Sequence, residues 1–148
     1  LKPGMSHTEV QALLARHWAS VPYAIGLNNH QGSLATEDAA LMAEVAGFVH
    51  AHNAYFLDSV TTPHSAIPKA AQAAGVPWAA RRVFLDDLDE IGAIRAQVSR
   101  AEAIARKQGD CIAIGHPRPN TLAVLKQMGP QLQADGIRLV FVSDLLKR

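Results

Sequence analysis

Val21-Pro22-Tyr23-Ala24-Ile25-Gly26-Leu27 runs without a break into Asn28-Asn29-His30-Gln31-Gly32-Ser33, and the change of character at residue 28 decides the fold. A short, mostly apolar run is what a strand buried on both faces requires, and the glycine-containing polar run after it is loop chemistry. A strand over Val21–Leu27 therefore empties into a loop at its C-terminal end. Ahead of it, Ser6 and Glu9 have the spacing of a capping box, in which each side chain satisfies the other's free backbone N–H. The helix they open carries Val10, Leu13, Leu14 and Trp18 on its apolar face.

The same succession recurs down the chain. A helix opens near Thr36, with Glu37 and Asp38 at the positive end of its dipole, and buries Leu41, Val45, Phe48 and Val49. Ala54–Leu57 reads as a strand running into Asp58-Ser59-Val60-Thr61-Thr62, and an alanine-rich helix follows as far as Gly75. Ala79–Leu85 reads as the third strand and ends at Asp86-Asp87. Ile91, Ile94, Val98 and Ile104 then mark the longest helix, up to Gly109. Cys111–Ile114 is the fourth strand, running into Gly115-His116-Pro117. Leu122, Leu125, Met128 and Leu132 mark a last helix, and Ile137–Val142 a closing strand.

Short apolar strands joined by helices imply parallel pairing, because parallel strands need a crossover, with both faces of the sheet covered. The fold class is α/β. In such folds the working loops gather beyond the C-terminal ends of the strands. This sequence places His30, Asp58, Asp86 and His116 there, one after each of the first four strands. One common cleft lined by all four is the expectation.

Composition narrows the function classes. A chain of 148 residues with 49% hydrophobic and 18% charged residues suits one sizeable core. A formal net charge of +1, without a run of Lys or Arg, argues against nucleic acid as a partner. No stretch approaches the ~20 apolar residues that span a bilayer. Cys111 is the only cysteine and cannot form a disulfide within the chain. In its apolar stretch it reads as a buried, inert thiol.

The segments Gly26-Leu27-Asn28-Asn29-His30-Gln31-Gly32-Ser33, Phe56-Leu57-Asp58-Ser59, Arg82-Val83-Phe84-Leu85-Asp86-Asp87 and Ile112-Ala113-Ile114-Gly115-His116-Pro117 resemble, in order and spacing, the signature blocks of the divergent polysaccharide deacetylases of bacteria. Gln31, where the pattern has Met, departs from it. The resemblance implies a deformed (β/α) barrel, hydrolysis of N- or O-acetyl groups on an envelope polysaccharide or peptidoglycan-type glycan, and a periplasmic or otherwise extracytoplasmic setting. It also implies an opening strand with paired aspartates that residues 1–148 do not supply. The chain is thus expected to be the C-terminal greater part of one such domain, its sheet left without that strand.

By the same resemblance, His116 is the acid that protonates the leaving amine, and His30 is a ligand to a divalent metal such as zinc, with a further ligand outside this chain. The second histidine of the ordinary deacetylase motif has no counterpart within a turn of His30. Asp58 and Asp86 are then catalytic carboxylates or the groups that orient His30 and His116. Arg82 lies on the same side of its strand as Asp86 by alternation, and reads either as that aspartate's ion-pair partner or as a clamp on a sugar or carboxylate. Asn28, Asn29 and Ser33 supply hydrogen-bonding groups for a glycan, and are also ordinary turn formers. Without the full metal set, the alternative function is a non-catalytic carbohydrate-binding or scaffold protein of the envelope.

Overall fold

The computed structural model describes residues 1–146. The chain divides into two compact units, the first taking Leu1–Ala80 and the second Arg81–Leu145.

The first unit opens with α1 (His7–Ala19), which has the capping box the sequence predicts: Glu9 N–H donates to the Ser6 hydroxyl while Ser6 N–H donates to the Glu9 carboxylate at 2.8 Å. Val10 and Leu14 are its buried residues, and Trp18 meets Phe48 edge-on at 6.1 Å. The strand expected from Val21 is shorter than predicted: only Gly26–Asn28 forms β1. Pro22 has no N–H for a ladder, and the chain turns there, with Ala24 N–H bonded to Val21 O and Tyr23 at φ 65°.

The helix predicted near Thr36 is two helices, α2 (Ser33–Glu37) and α3 (Ala39–Ala51). Asp38 separates them. Its extended backbone leaves its carboxylate free to accept from Ala40 and Leu41 N–H, both at 3.0 Å, so it caps α3 rather than sitting inside a helix. Then come β2 (Tyr55–Asp58), α4 (Ile67–Ala73, stopped by Gly75 at φ 66°) and β3 (Trp78–Ala80). The strands pair in parallel in the order β1-β2-β3, with Gly26 opposite Tyr55 and Phe56 opposite Trp78. Val10, Val45, Val49, Phe56 and Ile67 fill the core beneath them, and full burial of such a side chain contributes roughly 1.5–3 kcal/mol.

The second unit pairs β4 (Val83–Phe84) with β5 (Ala113–Ile114), again in parallel. The crossover is α5 (Ile91–Gln108), which ends where Gly109 takes up φ 93°. α6 (Pro119–Ala134) completes a core of Val83, Ile94, Val98, Val124 and Leu132. The stripe on α6 is offset from the predicted one. Thr121, Val124 and Leu132 are buried, whereas Leu122 and Leu125 are exposed.

Two further expectations are corrected. The strand predicted over Ala79–Leu85 divides at Arg81-Arg82, where the backbone leaves one ladder and Arg82 N–H donates to Ile112 O at 2.8 Å. Two successive arginines cannot both be accommodated in a strand covered on both faces. The predicted last strand, Ile137–Val142, does not form. Leu139 and Phe141 are exposed, and a 3-10 turn occupies Val142–Leu145. Apolar alternation makes a strand only where a ladder edge receives it. Among the described residues the strands make a three-stranded and a two-stranded parallel sheet, not a closed ring.

Candidate functional site

In the first unit the loops after β1 and β2 are tied together by side chains. The Asn29 amide uses both ends: its Oδ1 accepts from Ser59 N–H at 2.7 Å, and its Nδ2 lies 3.2 Å from Thr36 Oγ1 and 3.4 Å from Asp58 Oδ1. Asn28 Nδ2 donates to Ser59 Oγ at 3.1 Å, and Ser33 Oγ to Thr61 O at 2.9 Å. Thr62 adds a hydrogen bond from its hydroxyl to the Glu37 carboxylate. Three residues predicted to bind glycan thus brace their own loops.

Asp58 is buried at the end of β2 and accepts from Val60 N–H at 2.7 Å. Val60 stands at φ 50°, a left-handed conformation that a β-branched residue adopts at a cost on the order of 1–3 kcal/mol. The carboxylate is therefore part of what holds this bend. His30 is exposed and lines a cavity of about 530 Å³ together with Leu14, Trp18 and Leu27.

In the second unit the geometry is tighter. Asp86 is fully buried at the end of β4 and receives three hydrogen bonds. His116 N–H donates to Oδ2 at 2.7 Å, Thr121 Oγ1 donates to Oδ2 at 2.9 Å, and His116 Nδ1 lies 3.0 Å from Oδ1. Burial pushes the carboxyl up, but the His116 backbone N–H, the Thr121 hydroxyl and the imidazole together outweigh it and hold Asp86 below its ordinary value. A carboxylate facing Nδ1 selects the tautomer with a proton there, which makes Nε2 the nitrogen for proton exchange. Phe84 packs obliquely on the imidazole at 5.6 Å, with the Arg81 guanidinium 5.2 Å from the centre of its ring.

Arg82 does not pair with Asp86 as alternation had suggested. It reaches Asp110, at 3.9 Å, because the strand is only Val83–Phe84 and the backbone bends at Arg82 and again at Leu85, so period-two alternation does not carry from residue 82 to residue 86. Sequence reading also missed Thr121 and Arg118. Thr121 could have been found as a polar residue three positions before Val124 on a buried stripe, where a hydroxyl needs a partner. Among the described residues, no three His, Cys, Asp or Glu side chains stand together so as to hold a metal ion. His30 is thus without a complete ligand set among these residues.

These features define a parallel α/β protein with its polar groups at the C-terminal ends of strands. The chain belongs to the divergent polysaccharide deacetylase family, whose model matches residues 1–146. It is 44% identical over 146 residues to the uncharacterized protein YibQ of Escherichia coli, covering 99% of this chain and 46% of that one. An uncharacterized protein of Haemophilus influenzae is 42% identical over 142 residues, covering 96% of this chain and 50% of its own. The chain therefore spans about half the length of these relatives. The crystal structure of an uncharacterized Agrobacterium tumefaciens protein shares the fold with a TM-score of 0.93 at 22% identity, over 96% of this chain and 58% of that one.

Proposed function

We propose that this chain supplies the general acid of a carbohydrate deacetylase acting on N-acetyl groups of a bacterial envelope glycan. The observation that carries the reading is the buried Asp86 carboxylate gripping both the ring and the backbone of His116. Hydrolysis of an acetamide joins a water oxygen to the carbonyl carbon and breaks its bond to nitrogen, releasing acetate, and the nitrogen leaves poorly unless it is protonated as that bond breaks. His116 Nε2 gives that proton while Asp86 balances the imidazolium charge, a contribution of about 10²–10⁴-fold in rate. His30 and Asp58, in the loops of the first unit, are assigned to substrate or metal contact and to support of the bend at Val60. The barrel and the extracytoplasmic setting belong to the same proposal.

Acetate release from N-acetylglucosamine oligomers or peptidoglycan fragments by the full-length protein tests it. His116→Ala should cut turnover by at least about 100-fold with the fold intact by circular dichroism. An inactive parent that still binds the glycans would instead establish the non-catalytic carbohydrate-binding reading, which the hydrogen-bonding loops of the first unit would serve.

A further inference from the structure

Arg118 is the N-cap residue of α6, two residues after His116. Its Nη1 donates to the backbone carbonyl of Asp86 at 3.0 Å, so the guanidinium is tethered to the same residue that grips the imidazole. Its own N–H donates to His116 O at 2.8 Å, which fixes the backbone there as well. Yet the charge is not neutralised: among the described residues no carboxylate lies within ion-pair distance of Arg118. Asp86, the nearest acid by this chain of bonds, spends its carboxylate on His116 and Thr121.

The placement is locally adverse. A cation at the N-terminus of a sixteen-residue helix opposes the helix dipole, which favours anions there. Held in one position, half-buried and without a counter-charge, the guanidinium keeps donors that a planar oxyanion fits in bidentate fashion. Local rules broken in this way mark functional positions.

We propose that Arg118 receives a carboxylate on the substrate, so that the site takes an acidic amino sugar in preference to a neutral one. Because Arg118 and His116 are both bonded to Asp86, the carboxylate must be carried close to the acetamide, on a neighbouring ring position. N-acetylmuramic acid, whose lactyl carboxylate stands next to its N-acetyl group, has that chemistry. The inference deepens the deacetylase reading but is tested by binding, so the two can fail separately.

Calorimetric titration of the full-length protein with chitotetraose and with a tetrasaccharide alternating N-acetylglucosamine and N-acetylmuramic acid decides it. The carboxylated glycan should bind about 10- to 100-fold more tightly, the range of a charge-assisted hydrogen-bonded pair. Arg118→Gln should erase the preference, so that the two glycans bind with similar affinity, while Arg118→Lys should keep part of it. Should the Gln variant fail to fold, the parent still answers, since rising salt should narrow the gap between the two glycans. Equal affinity for both glycans in the parent overturns the proposal, as does a preference that survives in Arg118→Gln. A parent that prefers the carboxylated glycan but releases no acetate sustains Arg118's role and overturns the deacetylase reading alone.

Discussion

At the scale of single residues, the Asp86 carboxylate is fully buried, and its three hydrogen bonds can be taken apart one at a time. Thr121→Val keeps the shape and removes one bond to a buried charge, so it should destabilise the protein by about 1.5–3 kcal/mol, whereas Thr121→Ser should lose much less. Urea denaturation of the two variants checks this, and a Val variant as stable as the parent would show that the hydroxyl bond contributes nothing. Acid should act through the same carboxyl. Its value is lowered in the folded state from the ordinary 3.8, so between the two values the unfolded chain binds more protons and stability rises with pH. The contribution is complete above 3.8 and disappears as pH falls through the lower folded value. Melting curves from neutrality down to strong acid should show that loss in the parent and a flatter profile in Asp86→Asn. The positions of Asp86 and His116 at strand ends were legible from the succession of apolar runs and polar loops. Their mutual bond was not, because sequence separation says nothing of which loops meet.

Among the elements, β1 and β2 show how a short ladder is secured. Gly26 lies opposite Tyr55, and the ring covers it so closely that an added Cβ would stand 2.3 Å from the ring's Cζ. The aromatic supplies across the strands the cover that glycine lacks. Gly26→Ala should therefore displace the ring and cost about 1–3 kcal/mol, measured as a fall in the urea midpoint. An unchanged midpoint would mean that the half-exposed ring swings away without penalty. Helix positions were well encoded, since Ser6, Gly75 and Gly109 act where their chemistry says they should. Strand extents were not. A run such as Ile137–Val142 has strand-like residues, but pairing depends on an edge supplied by distant sequence, and Arg81-Arg82 divided a run that looked continuous.

For the molecule as a whole, the alternation of strand and helix disclosed the parallel α/β class, but the division into two compact units was invisible, because it rests on which helix packs against which sheet. Each unit has its own apolar core, one around Phe56 and Ile67, the other around Ile94 and Val124. Both tryptophans, Trp18 and Trp78, lie in the first unit, so intrinsic fluorescence follows that unit directly. The second unit has a different reporter in Cys111, which leads into β5. Burial, the largest influence, pushes its thiol up from the ordinary value, with Asp110 adding to this and Arg82 and Arg100 opposing it. At neutral pH the half-buried sulfur is therefore less available as the reactive thiolate than a free cysteine's. Alkylation by iodoacetamide should be slower than for an unstructured cysteine peptide at the same pH and should reach the peptide's rate in denaturant, so the label becomes a gauge of how well this half of the protein shelters its sulfur.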